Sequence, residues 1–283
     1  MKINSHLMLL CTRFVVFVAG LSLSFSLCLA GDVMVLAGAA SKPPLEEAAQ
    51  AFKTKTGISV ALHIGGSGSL LNRLRLSPYG DIYMPGSPDF MEQAKRFGMV
   101  RAESEIIVAY LIPAINVAKG NPRGIKRLID LTRPGIKVGI GDPVSVCVGL
   151  YAIELLEKNQ LLVRIKKNIF AQVESCEKTA SLIPLKSVDA TVGWREFEAW
   201  NPHAIQSILL QPEEIVRISY IPAALTSTAQ NTAEAGKFLA FLSSAEGRGY
   251  FKKWGYLTTE REARHFAPEA IIGGEYQLPE GWR

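Results

Sequence analysis

Ile58-Ser59-Val60-Ala61-Leu62-His63-Ile64-Gly65-Gly66-Ser67-Gly68-Ser69-Leu70-Leu71-Asn72-Arg73-Leu74 reads as a strand, a tight turn and the start of a helix. Ile58, Val60, Leu62 and Ile64 alternate with Ser59, Ala61 and His63, the period of two that a strand imposes. Gly65–Ser69 holds only glycine and serine. Leu70, Leu71 and Leu74 then open a helix. To the N-terminal side, Val33 to Leu36 is a short apolar run. Pro43-Pro44 precedes Leu45, Ala48, Ala49 and Phe52, which share one helical face, and Gly57 stops that helix. To the C-terminal side the alternation continues: Asp81 to Met84 as strand; Phe90, Ala94 and Phe97 as helix; Lys137 to Gly141 as strand; Val148, Ala152, Leu155 and Leu156 as helix; Thr191 to Trp194 as strand. Ala235, Phe238, Leu239 and Leu242 form a late helix, followed by Phe251 and Trp254. Alternation of this kind predicts an α/β fold with helices packed on a sheet.

Two longer apolar segments, Ile106 to Ala118 and Arg217 to Ala224, are each broken by a proline, Pro113 and Pro222. They read either as two hinge crossings between two lobes, with the prolines ending strands, or as ordinary buried strands with edge prolines.

The chain has 283 residues, 48% hydrophobic and 20% charged, with a net charge of +5. Such a composition excludes intrinsic disorder, which needs few apolar groups and high net charge. Four cysteines are too few for a disulfide-built scaffold. Lys2 and Arg13 are the only charges before Asp32, Phe14 to Leu27 is almost wholly apolar or small, and Cys28-Leu29-Ala30 offers small residues at the peptidase positions. Residues 1–30 are therefore expected to be a cleaved secretory signal, with Gly31 as the mature start. An uncleaved anchor, or a lipid on Cys28, is the lesser reading. Without residues 1–30 the basic residues fall from 31 to 29 against 26 acids, a net charge of +3. That mild excess, with no basic block interleaved with aromatics, argues against nucleic acid. Two cysteines remain, Cys147 and Cys176. In an oxidising compartment they read either as a disulfide or as two free thiols packing as small hydrophobes.

The chemistry-bearing candidates lie in turns. Gly65–Ser69 joins a strand to a helix N-terminus, where outward N–H groups, hydroxyls and the helix dipole favour an anion. Ala39-Ala40-Ser41 holds a similar position one strand earlier. Two such turns at the ends of consecutive strands converge on one crevice, because α/β sheets bind ligands at the carboxyl ends of their strands. Each serine alone reads as a plain N-cap. Ser67 as a hydrolase nucleophile is the alternative, but the elbow Gly-x-Ser-x-Gly is not completed, since Ser69 stands in fifth position. His63, His203 and His265 sit in no acid–base motif. No metal-ligand spacing and no P-loop occur.

Several stretches, taken in order, resemble the periplasmic molybdate-binding proteins, the solute receptors of oxyanion ABC importers. They are Ala39-Ala40-Ser41 before Leu45-Glu46-Glu47, Gly66-Ser67-Gly68 before Arg73, and Asp81-Ile82 with Ser87. Ile140-Gly141-Asp142-Pro143 with Gly149 and Tyr151 comes next, then Asp189-Ala190 before Val192, and Phe238 to Gly247. The resemblance implies a type II periplasmic binding fold, two α/β lobes joined by two crossover strands. Lobe one would comprise residues 31–112 and 222–283, and lobe two residues 113–221. Matched residue by residue, Ser41 and Ser67 would supply ligand hydroxyls, and Val148 and Cys176 backbone N–H groups. Trp194 stands where that family usually places a tyrosine, and Cys147-Val148 replaces a Pro-Ala. The two cysteines thus fall in loops that should both face the cleft.

The resemblance further implies a periplasmic, monomeric binder, not an enzyme. It would take up molybdate or tungstate and deliver it to an inner-membrane permease, with no cofactor and no directly bound metal cation. Sulfate or chromate is the alternative that the change to Trp194 admits.

Overall fold

A computed structural model of the chain describes residues 32–282. The expected signal segment and its cleavage after Ala30 lie outside the described residues. In chain order the strands are β1 (Val33–Gly38), β2 (Val60–Gly65), β3 (Ile82–Met84), β4 (Ile106–Leu111), β5 (Pro113–Ala118), β6 (Val138–Gly141), β7 (Ile169–Val173), β8 (Ala190–Trp194), β9 (Ile205–Leu209), β10 (Arg217–Leu225) and β11 (Ile271–Ile272). The helices that bear on function are α1 (Lys42–Thr56), α2 (Ser67–Leu76), α3 (Pro88–Arg96), α4 (Cys147–Lys158), α5 (Leu162–Ile165) and α6 (Cys176–Ser181).

The strands build two sheets, so the two-lobed α/β fold that the resemblance implied is the one observed. The first runs β11-β10-β3-β1-β2, with β4 also paired to β10; the second runs β7-β6-β8-β5-β9. The chain passes from the first sheet to the second at Ile112, between β4 and β5, and returns between β9 and β10. Pro113 opens β5, opposite Trp194, and Pro222 lies inside β10, where the ladder with β4 shifts register after Ile221. Neither proline ends a strand, which corrects that expectation. A residue without an N–H is tolerated at the first position of a strand and at a bulge, and those are the places the two occupy.

Register is what positions the turns. β1 lies parallel to β2 from Val33 opposite Val60 to Gly38 opposite Gly65, and parallel to β3 from Val35 opposite Ile82 to Ala37 opposite Met84. Three loops, beginning at Ala39, Gly66 and Pro85, therefore leave one edge of the sheet side by side. In the second sheet β6 is parallel to β7, with Gly141 opposite Val173, and to β8, with Val138 opposite Ala190. The loops at Asp142 and Glu174 leave its edge in the same way.

Local chemistry agrees with these bounds. Pro43 and Pro44 sit in the first turn of α1, where a missing N–H costs nothing. Gly57, at φ 75°, ends that helix in the left-handed conformation that glycine alone adopts without penalty. The first core gathers on Phe52, whose ring lies 5.0 Å from Phe238 and 5.4 Å from Phe241. Full burial of each such ring stabilises by roughly 1.5–3 kcal/mol. A second core of Ile115, Val117, Ile140, Ile153, Leu156 and Val192 fills the other sheet.

Behind the edge where the loops meet, Arg217 fastens the two halves together. It is 4% exposed, donates from Nε to Glu154 Oε2 of α4 at 2.7 Å, and from NH1 to Asp89 Oδ2 of α3 at 3.1 Å and to the Gly274 carbonyl at 2.8 Å. Its guanidinium also lies over the Tyr151 ring, 4.0 Å from the centroid. Burial raises the Asp89 and Glu154 carboxyls, and the cation opposes that rise.

Candidate functional site

The loop edges of the two sheets face each other and touch. Gly68 N–H donates to the Ser145 carbonyl at 2.8 Å. Lys42 Nζ pairs with Glu177 Oε1 at 2.7 Å near the rim, both half-exposed. The contact depends on missing side chains. A Cβ on Gly66 would stand 2.7 Å from the Glu174 carbonyl, and one on Gly68 would stand 2.8 Å from the Phe90 ring and 3.0 Å from Ser145 Cα.

Inside this seam the predicted residues come together. Ser41 is fully buried, and its hydroxyl donates to the Gly38 carbonyl at 2.9 Å. Ser67 is 1% exposed; its Oγ accepts from Gly86 N–H at 3.0 Å, and its carbonyl accepts from Tyr83 Oη at 2.8 Å. Cys147 begins α4, and its thiol lies against Gly86, the residue whose N–H meets Ser67. Val148 and Cys176 are each 1% exposed and belong to one apolar cluster with Cys147, Tyr151 and Trp194. Trp194 is wholly buried, its ring T-stacked on Tyr151 at 5.1 Å, and its indole N–H has no hydrogen-bond partner among the described residues. A buried unpaired donor is costly, about 1–3 kcal/mol, so this one is suited to meeting an acceptor.

The two cysteines are free thiols with Sγ atoms 3.5 Å apart, rather than a disulfide. Burial pushes the Cys147 thiol well up, and the neighbouring Cys176 adds to that.

Three contributors escape a reading of the sequence. Gly86 presents its N–H to Ser67 and has no room for a side chain: a Cβ there would lie 2.6 Å from Cys147 Sγ and 2.9 Å from Ala40 Cβ. Its place just after a strand end was the available signal. Tyr256 donates to the Ala40 carbonyl at 2.5 Å and accepts from the Trp200 indole at 3.2 Å, bracing the first loop from far along the chain. Glu196, two residues beyond Trp194, is buried beside Arg195, whose NH2 donates to its Oε1 at 3.0 Å.

Burial pushes the Glu196 carboxyl up to about 7, against the pull of Arg195. The consequence for stability has a definite sign. Between the unfolded value near 4.5 and about 7, the folded chain holds a proton that the unfolded chain has lost. Stability from this group therefore falls as pH rises through that window. The melting temperature of the parent minus that of Glu196→Gln is expected to be higher at pH 5 than at pH 8, by a few degrees. Scanning calorimetry of both proteins measures it, and equal differences at both pH values would refute the assignment.

Ser67 has no base at hand. Its hydroxyl meets Gly86 N–H, while His63 engages Arg73 NH1 at 2.8 Å and Tyr79 Oη at 3.4 Å. The arrangement can donate hydrogen bonds; for a nucleophilic serine it supplies no proton acceptor from these histidine contacts.

Comparison with known proteins reaches most of the chain. Residues 33–257 match the family model described as bacterial extracellular solute-binding protein. A Haemophilus influenzae protein described as a binding protein is 26% identical over 232 residues, 81% of this chain and 91% of that one. The molybdate-binding protein ModA of Rhodobacter capsulatus is 22% identical over 238 residues, 81% of this chain and 89% of that one. Among solved structures, the sulfate-binding protein SubI from Mycobacterium tuberculosis superposes with a TM-score of 0.73 at 15% identity, covering 85% of this chain and 93% of that one.

Proposed function

The chain belongs to the bacterial extracellular solute-binding protein family, and on that premise we propose that it captures a tetrahedral oxyanion, molybdate or tungstate, between its two lobes and delivers it to the permease of an ABC importer. It would act in the periplasm as a monomer, by binding and without catalysis. The lobes would divide as residues 31–112 with 222–283, and 113–221.

The observation that carries this reading is the convergence of strand-end turns. The turns holding Ser41 and Ser67, the N-terminal residues of α4 and Cys176 meet in one buried seam. The Ser41 and Ser67 hydroxyls sit there against an apolar wall that includes Cys147, Val148, Cys176 and Trp194, and the helix dipoles of α1, α2 and α4 favour negative charge. The buried cation Arg217 is committed to Asp89 and Glu154, and Lys42, next to Ser41, is paired with Glu177. Ser41 and Ser67 would turn their protons to the ligand, and Val148 and Cys176 would present N–H groups. Trp194 would donate from the indole that has no acceptor among the described residues. A ModA relative supports molybdate. A sulfate-binding neighbour in fold, together with the bulk of Trp194, supports sulfate or chromate as the second reading.

Selectivity follows from what these contacts offer. An indole or amide N–H only donates, and a serine hydroxyl can turn its proton to the ligand. No carboxylate is among the proposed contacts. Phosphate at neutral pH carries protons that would need acceptors, and burying one unpaired costs about 1–3 kcal/mol. Molybdate and tungstate carry none. Both are expected to bind at least tenfold tighter than phosphate, since about 1.4 kcal/mol is a factor of ten. Calorimetric titration of anion-stripped protein with molybdate, tungstate, sulfate and phosphate is the test. Phosphate binding as tightly as molybdate would sink the donor-only site. Sulfate binding tightest would keep the site and overturn the ligand.

A further inference from the structure

We propose that Cys147 and Cys176 form a two-sulfur site for a trivalent, thiol-reactive oxyacid of the arsenite type. The proposal uses the same cleft as the oxyanion reading, but neither the charge nor the shape of that anion.

Spacing is the first argument. The two Sγ atoms lie 3.5 Å apart and are not bonded to each other. A centre with bonds of about 2.3 Å to two sulfurs at tetrahedral angles holds them about 3.8 Å apart. The tighter angle of a pyramidal three-bonded centre shortens that toward the observed value. Thiolate sulfur is also the soft ligand that such a centre selects over oxygen.

Coordination number is the second. Among the described residues no group of three or more His, Cys, Asp or Glu could hold a metal ion. A tetrahedral cation would lack donors here, since structural zinc takes four. A three-bonded centre needs two sulfurs and one oxygen. The Ser67 hydroxyl, which like Cys147 Sγ lies against Gly86, is the oxygen group nearest to hand for it.

The thiols are protected and yet reachable. Each residue is 1% exposed. The thiolate is the species that attacks disulfides, so Cys147, held protonated by burial, is slow to exchange. On the other side, Cys147 Sγ lies against Gly86 of the first sheet's loops, so parting the lobes would uncover it.

The chemistry balances without an oxidant. Arsenous acid is uncharged at neutral pH. Two arsenic–sulfur bonds form and two arsenic–oxygen bonds break. Each departing oxygen takes one thiol proton and leaves as water. Arsenic stays trivalent and keeps its third hydroxyl.

The test uses reduced full-length protein and sodium arsenite, with antimony(III) tartrate as a second arm. After desalting, one arsenic per chain is expected, with both thiols protected from alkylation. X-ray absorption at the arsenic edge of the parent protein should count two sulfur neighbours, a readout that needs no variant. Cys147→Ser and Cys176→Ser should each weaken retention at least a hundredfold while remaining folded. No retained arsenic, a single sulfur neighbour, or unchanged retention in both variants would overturn the proposal. So would antimony retained in place of arsenic, or protein from the periplasm that titrates no free thiol when denatured. Molybdate titration of the same sample keeps the two ideas apart: arsenic bound without any oxyanion overturns the transport ligand alone, and the converse overturns the thiol site alone.

Discussion

Arg217→Met is expected to destabilise the fold by about 3–5 kcal/mol, the cost of removing one partner from a buried ion pair. Arg217 is 4% exposed and is the cation between Asp89, 1% exposed, and Glu154, 7% exposed. Without it two buried carboxyls face each other. Burial already raises both. Removing the cation raises them further above their unfolded values, so the folded variant binds protons that its unfolded chain does not. Its stability must then recover as pH falls, and its deficit against the parent should be smaller at pH 5 than at pH 8. Urea unfolding at the two pH values measures this. A triple change, Asp89→Asn with Glu154→Gln and Arg217→Met, removes every charge and should regain most of the loss. A deficit independent of pH would mean that packing on Tyr151, rather than charge, is what Arg217 contributes.

The second large effect is on binding. Ser41→Ala and Ser67→Ala are each expected to weaken oxyanion affinity by about 1.5–3 kcal/mol, the range for hydrogen bonds to charged groups. Combined, they should cost at least a hundredfold, falling short of full additivity because both hydroxyls would serve one ligand. The fold should survive in both. Ser41 loses only a bond to Gly38 within its own turn, and Ser67 leaves Gly86 N–H unpaired, a local cost. Calorimetric titration with molybdate, beside circular dichroism, separates the two consequences. Unchanged affinity in the double variant would remove both serines from the site.

What the sequence disclosed depended on how locally each feature was written. The alternation of Val60 to Ile64, the Gly65–Ser69 turn and the Gly57 stop each sit within a few residues, and the helices and strands they predict are observed. β7 and β9 were missed. Two of the five residues of β7 are exposed and one of these is the apolar Phe170, at 62%, while β9 ends on exposed Leu209, so in neither does residue type follow the alternation that betrays a strand. Pro113 and Pro222 marked the crossings without revealing that the chain pairs on through them, because a proline's tolerance depends on which neighbour its missing N–H would have faced. The site was legible as two serine-bearing turns. That Gly86 and Tyr256 brace those turns could not be read, since one is a close approach between distant loops and the other spans 216 positions to Ala40. The 3.5 Å approach of Cys147 and Cys176 likewise appears only once β6 and β7 lie parallel.

The place of β10 in the first sheet sets the order in which the two halves can be completed as the chain emerges, N-terminus first. β5 to β9 follow one another without interruption, so the second sheet has all its strands before β10 has been made. The first sheet cannot close then, because β3 and β4 both pair with β10, and β3 takes its second neighbour from Ala224 and Leu225. Pairings this distant in sequence are slow to form. Until they form, the emerging chain carries one edge of β3, with Tyr83 and Ile82, unpaired. An unpaired apolar edge is where nascent chains stick to one another. The late strand that joins the lobes is thus also the step at which a half-made molecule is most exposed to aggregation and most dependent on a chaperone.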